Sequence, residues 1–215
     1  MVIFLYGKGL VTVMFIVLEG GEGCGKGTQS RRLQEYLVGK GYEVVTGIEP
    51  GTSPLGIHSR DVLLSRKDIP MESNAQLLAF YLSRFQNSPT IVEPALGRNA
   101  VVLWDRWDHS SYAYQVYAGN ADESLFWNLS KMIRRPDLTL ILDVDNVEQA
   151  LYRAKGVSGT GDRFEDQKLL YHEKVWEAYR RMPEIFPADN VHVVPFGSIE
   201  DVWGRIEKIV NKYLN

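Results

Sequence analysis

The stretch Gly20-Gly-Glu-Gly-Cys-Gly-Lys-Gly-Thr28 places four glycines ahead of a lysine, directly after the apolar run Phe15-Ile-Val-Leu18 and directly before a helical pattern. The spacing Gly20-x-x-x-x-Gly25-Lys26 is that of a phosphate-binding loop. Its glycines reach backbone conformations closed to other residues, so successive N–H groups of Gly20, Gly21, Glu22, Gly23, Cys24 and Gly25 can wrap an anion at a helix N-terminus. Lys26 adds a full charge at the β- and γ-phosphates of a nucleotide such as ATP. A glycine-rich turn that binds nothing is the plain alternative. Many such loops follow the lysine with a Ser or Thr that ligates Mg²⁺; here that position is Gly27, and the hydroxyl comes one residue later at Thr28. Magnesium is therefore expected to be held mainly by nucleotide oxygens and water. This departure points away from GTPases and motor ATPases and toward nucleoside and nucleotide kinases, and the chain contains no Asn-Lys-x-Asp segment to read guanine.

Two further constellations carry chemistry. Asp105-Arg106 follows the apolar run Val101-Val-Leu-Trp104, so both side chains should emerge at the edge of a sheet near the phosphate loop. The arginine can bridge donor and acceptor phosphates, and Asp105 is better suited to orient it, or to reach magnesium through water, than to remove a proton; a structural ion pair is the alternative. Phe80 and Arg84 stand four apart in an uninterrupted helical stretch and share one face. A ring beside a guanidinium can stack a nucleobase and donate to its carbonyl, although such a pair alone is more often core plus surface.

These residues need a scaffold, and short β-branched runs alternating with helical patterns provide it: βαβ units forming a parallel sheet covered on both faces. Strands are expected near 15–18, 43–46, 101–104, 138–144 and 191–194. Helices are expected near 26–38, 55–65, 72–86, 110–118, 122–133, 147–154, 167–181 and 199–213. Residues just past each strand, from Glu19, Glu49, Asp105 and Asp143 onward, are the ones a ligand would meet. The glycine-bearing, basic run 155–163 suits a mobile flap or a solvated surface loop equally.

The chain has 215 residues, 45% of them hydrophobic and 24% charged, enough for one α/β domain with a substantial core. A net charge of −3 offers no broad basic surface for nucleic acid. Cys24 is the single cysteine, which excludes an internal disulfide framework and suits a reducing cytoplasm. No segment has the length of a membrane span. Residues 1–13 lack the charged leader and cleavage site of a signal peptide, and are read as an N-terminal extension ahead of one domain over 14–215.

Taken together, the pieces resemble thymidylate kinases, most closely the bacterial type. The resemblance rests on Phe15-Ile-Val-Leu-Glu-Gly-x-Glu22, Glu49-Pro50-Gly51 with Pro54-Leu55-Gly56, Leu77-Leu78-x-Phe80-x-x-x-Arg84, Asp105-Arg106 with Ser110-Ser111-Tyr112-Ala113-Tyr114-Gln115, and Asp162-Arg163-Phe164-Glu165. It implies a three-layer P-loop kinase fold with a five-stranded parallel sheet and a lid over about 153–165. It also implies transfer of the γ-phosphoryl of ATP to dTMP with Mg²⁺, in the supply of dTTP, by a cytoplasmic homodimer. By position, Glu22 faces the deoxyribose 3′-hydroxyl, Phe80 stacks on thymine, Arg84 bonds its carbonyl edge, and Arg106 holds the acceptor phosphate. Tyr114 crowds the 2′ position, Gln115 lies near the base, and Glu49 and Ser110 complete the acceptor site. Arg153 and Arg163 match the lid arginines that supply charge over the transferring phosphoryl. Where relatives of this type usually read Thr-Arg-Glu-Pro, this chain has Gly47-Ile48-Glu49-Pro50, so one cationic contact is missing and Arg60 is the candidate to replace it. A kinase of another pyrimidine monophosphate or of a deoxynucleoside, and a catalytically weak nucleotide-binding regulator, are the alternatives.

Overall fold

The computed structural model describes the backbone of residues 3–5, 10–158 and 161–214, and the side chains of 13–156 and 161–214. A two-stranded antiparallel hairpin, β1 (Ile3–Leu5) with β2 (Leu10–Thr12), precedes the main sheet. That sheet contains β3 (Phe15–Glu19), β4 (Val44–Ile48), β5 (Val101–Asp105), β6 (Leu138–Leu142) and β7 (Val191–Val194), in the order β4-β5-β3-β6-β7 and all parallel. The five expected strands are all present. β3 and β6 are buried at every position, as the unbroken apolar runs require of strands covered on two faces.

Helices cover both faces. α1 (Lys26–Gly39) and α9 (Ile199–Leu214) bury Leu33, Leu37, Ile206 and Val210 on one side. On the other, α3 (Ser73–Asn87) and α8 (Leu169–Ile185) enclose an aromatic core that includes Tyr81, Trp104, Trp107, Trp176 and Tyr179. The remaining helices are α2 (Pro54–Arg60), α4 (Glu93–Gly97), α5 (Asp108–Ser111), α6 (Glu123–Ser130) and α7 (Val147–Ser158). The result is a three-layer α/β fold.

Three departures from the expected elements have local causes. The run Ser88–Gly97 is helical although Pro89 and Pro94 break its pattern: it continues α3 without a gap, and the chain widens into a π-type turn over Ser88–Val92 where Pro89 lacks an N–H. The helix expected over 55–65 is α-helical only to Arg60 and then widens into a π-type turn over Asp61–Ser65, and a similar turn over Tyr112–Tyr117 follows α5. Helix α7 runs past Ala154 to Ser158, so the first part of the expected flap is helix; residues 159 and 160 lie outside the described residues. Among the described residues, no helix is long and apolar enough to cross a membrane.

Candidate active site

A cavity of about 530 Å³ opens at the carboxyl ends of β3, β4 and β5, where an open parallel sheet exposes its loops to ligands. Residues 22–28 line one side. Ile48, Glu49, Pro50, Arg60, Phe80, Arg84, Tyr114 and Gln115 line the other, and Asp105, Arg106 and Ser110 lie along the same wall.

The loop between β3 and α1 is shaped by its glycines. Gly25 at the helix N-cap has φ +91°, and Gly23 has φ +71° and lies so close to α7 that a Cβ there would stand 1.8 Å from the Ala150 carbonyl oxygen. No side chain caps α1, whereas Ser53 caps α2 and Asp122 caps α6. Residues 25–28 at the start of α1 line the cavity, the placement an anion-binding helix terminus requires. Lys26 is buried, and its Nζ donates to the carbonyls of Gly20 (2.9 Å) and Gly21 (3.0 Å).

Arg106 stands at the end of β5 with φ +68°, a left-handed conformation uncommon for a residue with a Cβ. Its Nη2 lies 3.1 Å from Glu22 Oε1, and its Nη1 donates to the hydroxyls of Ser110 and Tyr179, each at 3.2 Å. Glu22 also accepts from the Tyr114 hydroxyl at 2.6 Å and lies 3.7 Å from His172 Nδ1. Burial pushes the Glu22 carboxyl up, but Arg106, Lys26, the Tyr114 hydrogen bond and His172 outweigh it, and the group ends below the usual carboxylate range. Burial holds His172 below the ordinary histidine value despite Glu22.

Phe80 and Arg84 share the cavity face of α3. Arg84 is fully buried: Nη1 donates to Ser111 Oγ (2.8 Å), Nη2 to the Trp107 carbonyl (2.7 Å), and Nε has no protein partner. Two of its five N–H groups are thus engaged within the protein, and the Nε–H is among those left over. Gln115 is buried, lines the cavity, and has neither amide atom hydrogen-bonded. Glu49 Oε1 accepts from Asn87 Nδ2 at 2.6 Å, whereas its Oε2 has no partner. Burial raises the Glu49 carboxyl to about 7, against the opposing pull of Arg84. Arg60 lines the cavity, as does Ile48, and donates to the Pro50 carbonyl at 2.9 Å.

The two expected lid arginines part company. Arg153 on α7 lines the cavity and donates from Nε to the Gly23 carbonyl at 3.3 Å. Arg163 does not reach the cavity: its Nε donates to the Leu63 carbonyl (2.9 Å) and its Nη2 to the carbonyls of Arg66 (2.6 Å) and Ile69 (2.8 Å). The structure thus does not bring Arg163 together with the other expected catalytic residues. Its guanidinium satisfies carbonyls at and beyond the end of the π-type turn after α2, groups a helix end leaves open. Its neighbours in the same tetrapeptide face the other way. Asp162, Phe164 and Glu165 line the cavity, and the Phe164 ring lies 5.8 Å from both Phe80 and Tyr114. Phe164, Glu19, His172 and Tyr179 were assigned no specific role. The aromatic in Asp162-Arg163-Phe164-Glu165 and the position of Glu19 at the end of its strand were the legible signals among them.

The chain matches the thymidylate kinase family over residues 18–206. A thymidylate kinase from Exiguobacterium is 36% identical over 196 residues, spanning 90% of this chain and 92% of its own. One from Clavibacter michiganensis is 39% identical over 174 residues, spanning 79% and 81%. The chain belongs to the thymidylate kinase family. The crystal structure of the thymidylate kinase from Ehrlichia chaffeensis superposes with a TM-score of 0.74 at 28% identity, covering 93% of this chain and 98% of that one. The P-loop kinase fold and an ATP-dependent nucleoside monophosphate kinase activity follow.

Proposed function

We propose that this cavity binds ATP and dTMP end to end and moves the γ-phosphoryl between them, with dTMP as the preferred acceptor. The observation that carries the reading is that one continuous cavity joins an open phosphate loop to a wall of buried polar atoms without protein partners: both amide atoms of Gln115, Nε of Arg84 and Oε2 of Glu49. Such atoms are costly to leave unpaired, and a nucleobase with carbonyl and imide groups can satisfy them. Phe80 and Phe164 flank the base, Tyr114 excludes a 2′-hydroxyl, and Glu22 exchanges Arg106 for the 3′-hydroxyl. Arg106 and Arg60 receive the acceptor phosphate, with Ser110 steadying Arg106. Residues 20–28 hold the ATP phosphates, and Lys26 and Arg153 add charge where it spreads over the transferring group.

The acceptor is already a phosphate, so its own oxygen attacks and no general base is required. Among the described residues there is no group of three or more His, Cys, Asp or Glu that could hold a metal. Asp105 lines the cavity with a buried Oδ1 that has no partner, which fits contact with Mg²⁺ through water. When bound, the ion neutralises phosphate charge. Residues 14–215 work as one unit in the cytoplasm, with 1–13 outside it. The exposed Leu78 and Leu82, four apart on α3, favour pairing with a second copy, which light scattering checks.

The decisive test is ADP formation with dTMP, dUMP, CMP and thymidine in turn. Turnover on dTMP at least about tenfold above the others supports the reading. Arg84→Ala is expected to weaken dTMP by about 1–3 kcal/mol with ATP affinity unchanged. Turnover led by thymidine, or ATP binding with no turnover, would replace it by the nucleoside-kinase or regulator alternative.

A further inference from the structure

We infer that Glu19 is a positioning residue for Arg106, acting through the hydroxyls of Ser110 and Tyr179; this rests on the reading of Arg106 as the acceptor-phosphate contact. Glu19 ends β3 and is fully buried. Its Oε1 accepts from the backbone N–H groups of Trp107 (2.7 Å) and Ser110 (3.2 Å), and its Oε2 from the hydroxyls of Ser110 (2.6 Å) and Tyr179 (3.1 Å). The same two hydroxyls receive Arg106 Nη1.

Proton bookkeeping leaves one arrangement. A guanidinium only donates and an ionised carboxylate only accepts, so each hydroxyl accepts from Arg106 and donates to Glu19. The 2.9 Å approach of Ser110 Oγ to the Tyr179 hydroxyl then has no proton of its own. Two relays therefore run from the carboxylate to a single guanidinium nitrogen, with their direction set at both ends. Oε1 meanwhile pins the backbone on the far side of Arg106, and the Arg106 N–H donates to the Leu18 carbonyl at 2.9 Å on the near side. That clamp holds the left-handed backbone of Arg106, a conformation that persists only where its surroundings over-determine it.

A carboxamide at position 19 cannot reproduce this. Either orientation turns an NH₂ toward two fixed N–H groups on one side, or on the other toward two hydroxyls whose protons then lose the acceptor at position 19 and must turn away from it. Glu19→Gln keeps the shape and breaks the polarity.

The test compares wild type, Glu19→Gln, Tyr179→Phe, Arg106→Ala and the Glu19→Gln/Arg106→Ala double variant. It measures steady-state turnover, ATP binding by fluorescence titration and dTMP binding by calorimetry. Glu19→Gln is expected to lower kcat/KM for dTMP by about 100-fold, the scale of a small misplacement at a reacting centre, with the ATP dissociation constant within about twofold of wild type. Tyr179→Phe removes one relay and is expected to lose about tenfold in the same parameter. In the Arg106→Ala background, Glu19→Gln should weaken dTMP binding by less than about twofold more, since the group it positions is gone. Activity of Glu19→Gln within about threefold of wild type, equal losses for ATP and dTMP, or a full additional loss in the double variant would overturn the proposal. If Glu19→Gln does not fold, wild-type kinetics in folded Tyr179→Phe would overturn it. Normal dTMP binding and turnover by Arg106→Ala would instead defeat the reading of Arg106 itself.

Discussion

At what we propose is the acceptor end of the cavity, Arg84 is held by Ser111 and the Trp107 carbonyl, Glu49 by Asn87, and Arg106 by Ser110, Tyr179 and Glu22. At the donor end, Lys26 and Arg153 rest on the backbone carbonyls of Gly20, Gly21 and Gly23. The acceptor wall thus stands ready before a substrate arrives, its geometry over-determined by side chains from distant parts of the chain. The donor end keeps its cations on backbone oxygens, which on the proposed reading a triphosphate, a stronger acceptor, would displace. Selection of a base calls for rigid unpaired atoms, whereas holding a polyanion calls for charge that can be handed over.

The largest effects test whether the two ends act together. Arg106→Ala is expected to lower kcat/KM by about 10³-fold or more with the fold intact, and Lys26→Ala to do the same, because each removes charge that grows in importance in the transition state. Circular dichroism and steady-state assays check this; loss in one variant alone would show that only one end is catalytic.

Glu49 tests how far the acceptor wall carries a cost. Its folded carboxyl titrates at about 7, above the ordinary 4.5 of the unfolded chain. The folded state therefore keeps a proton that the unfolded state releases between these values, and stability falls as pH rises through that window. Glu49→Gln retains an acceptor for Asn87 and should remove that slope, leaving the protein more stable than wild type at pH 8 by on the order of 2–3 kcal/mol. Urea unfolding from pH 5 to 8 measures it, and parallel curves for the two proteins would place Glu49 in a wetter setting.

The two arginines at the ends of the lid sharpen the boundary. Arg153→Ala is expected to cost about tenfold in kcat with little change in stability. Arg163→Ala should leave kcat within about threefold and instead lower stability by about 1–2 kcal/mol, since its carbonyl partners lose their donor. The opposite pattern would return Arg163 to the reaction.

The smallest effect concerns Gly27, where an added Cβ would meet nothing within 4 Å. Gly27→Ser should be accommodated, keep kcat within about threefold, and lower the Mg²⁺ concentration at half-maximal rate by a few fold. An unchanged Mg²⁺ requirement would mean that the added hydroxyl does not reach the ion.

Much of this molecule was determined by local sequence. Apolar runs with β-branched residues dictated five parallel strands, the glycines before Lys26 dictated the loop between β3 and α1, and the i,i+4 spacing of Phe80 and Arg84 put both on one helix face. Those features depend on neighbours within a few residues, so the chain alone displays them. Tertiary structure decided the rest. Whether Arg163 or Phe164 faces the cavity depends on which carbonyls the π-type turn after α2 leaves open, about 100 residues away in sequence. The role of Glu19 depends on donors 88 to 160 residues away, brought to one carboxylate by parallel crossovers that place the end of β3 beside the loop after β5 and against α8. Hydrogen-bond polarity is a property of such an assembled set of donors and acceptors, and no single residue or spacing along the chain contains it.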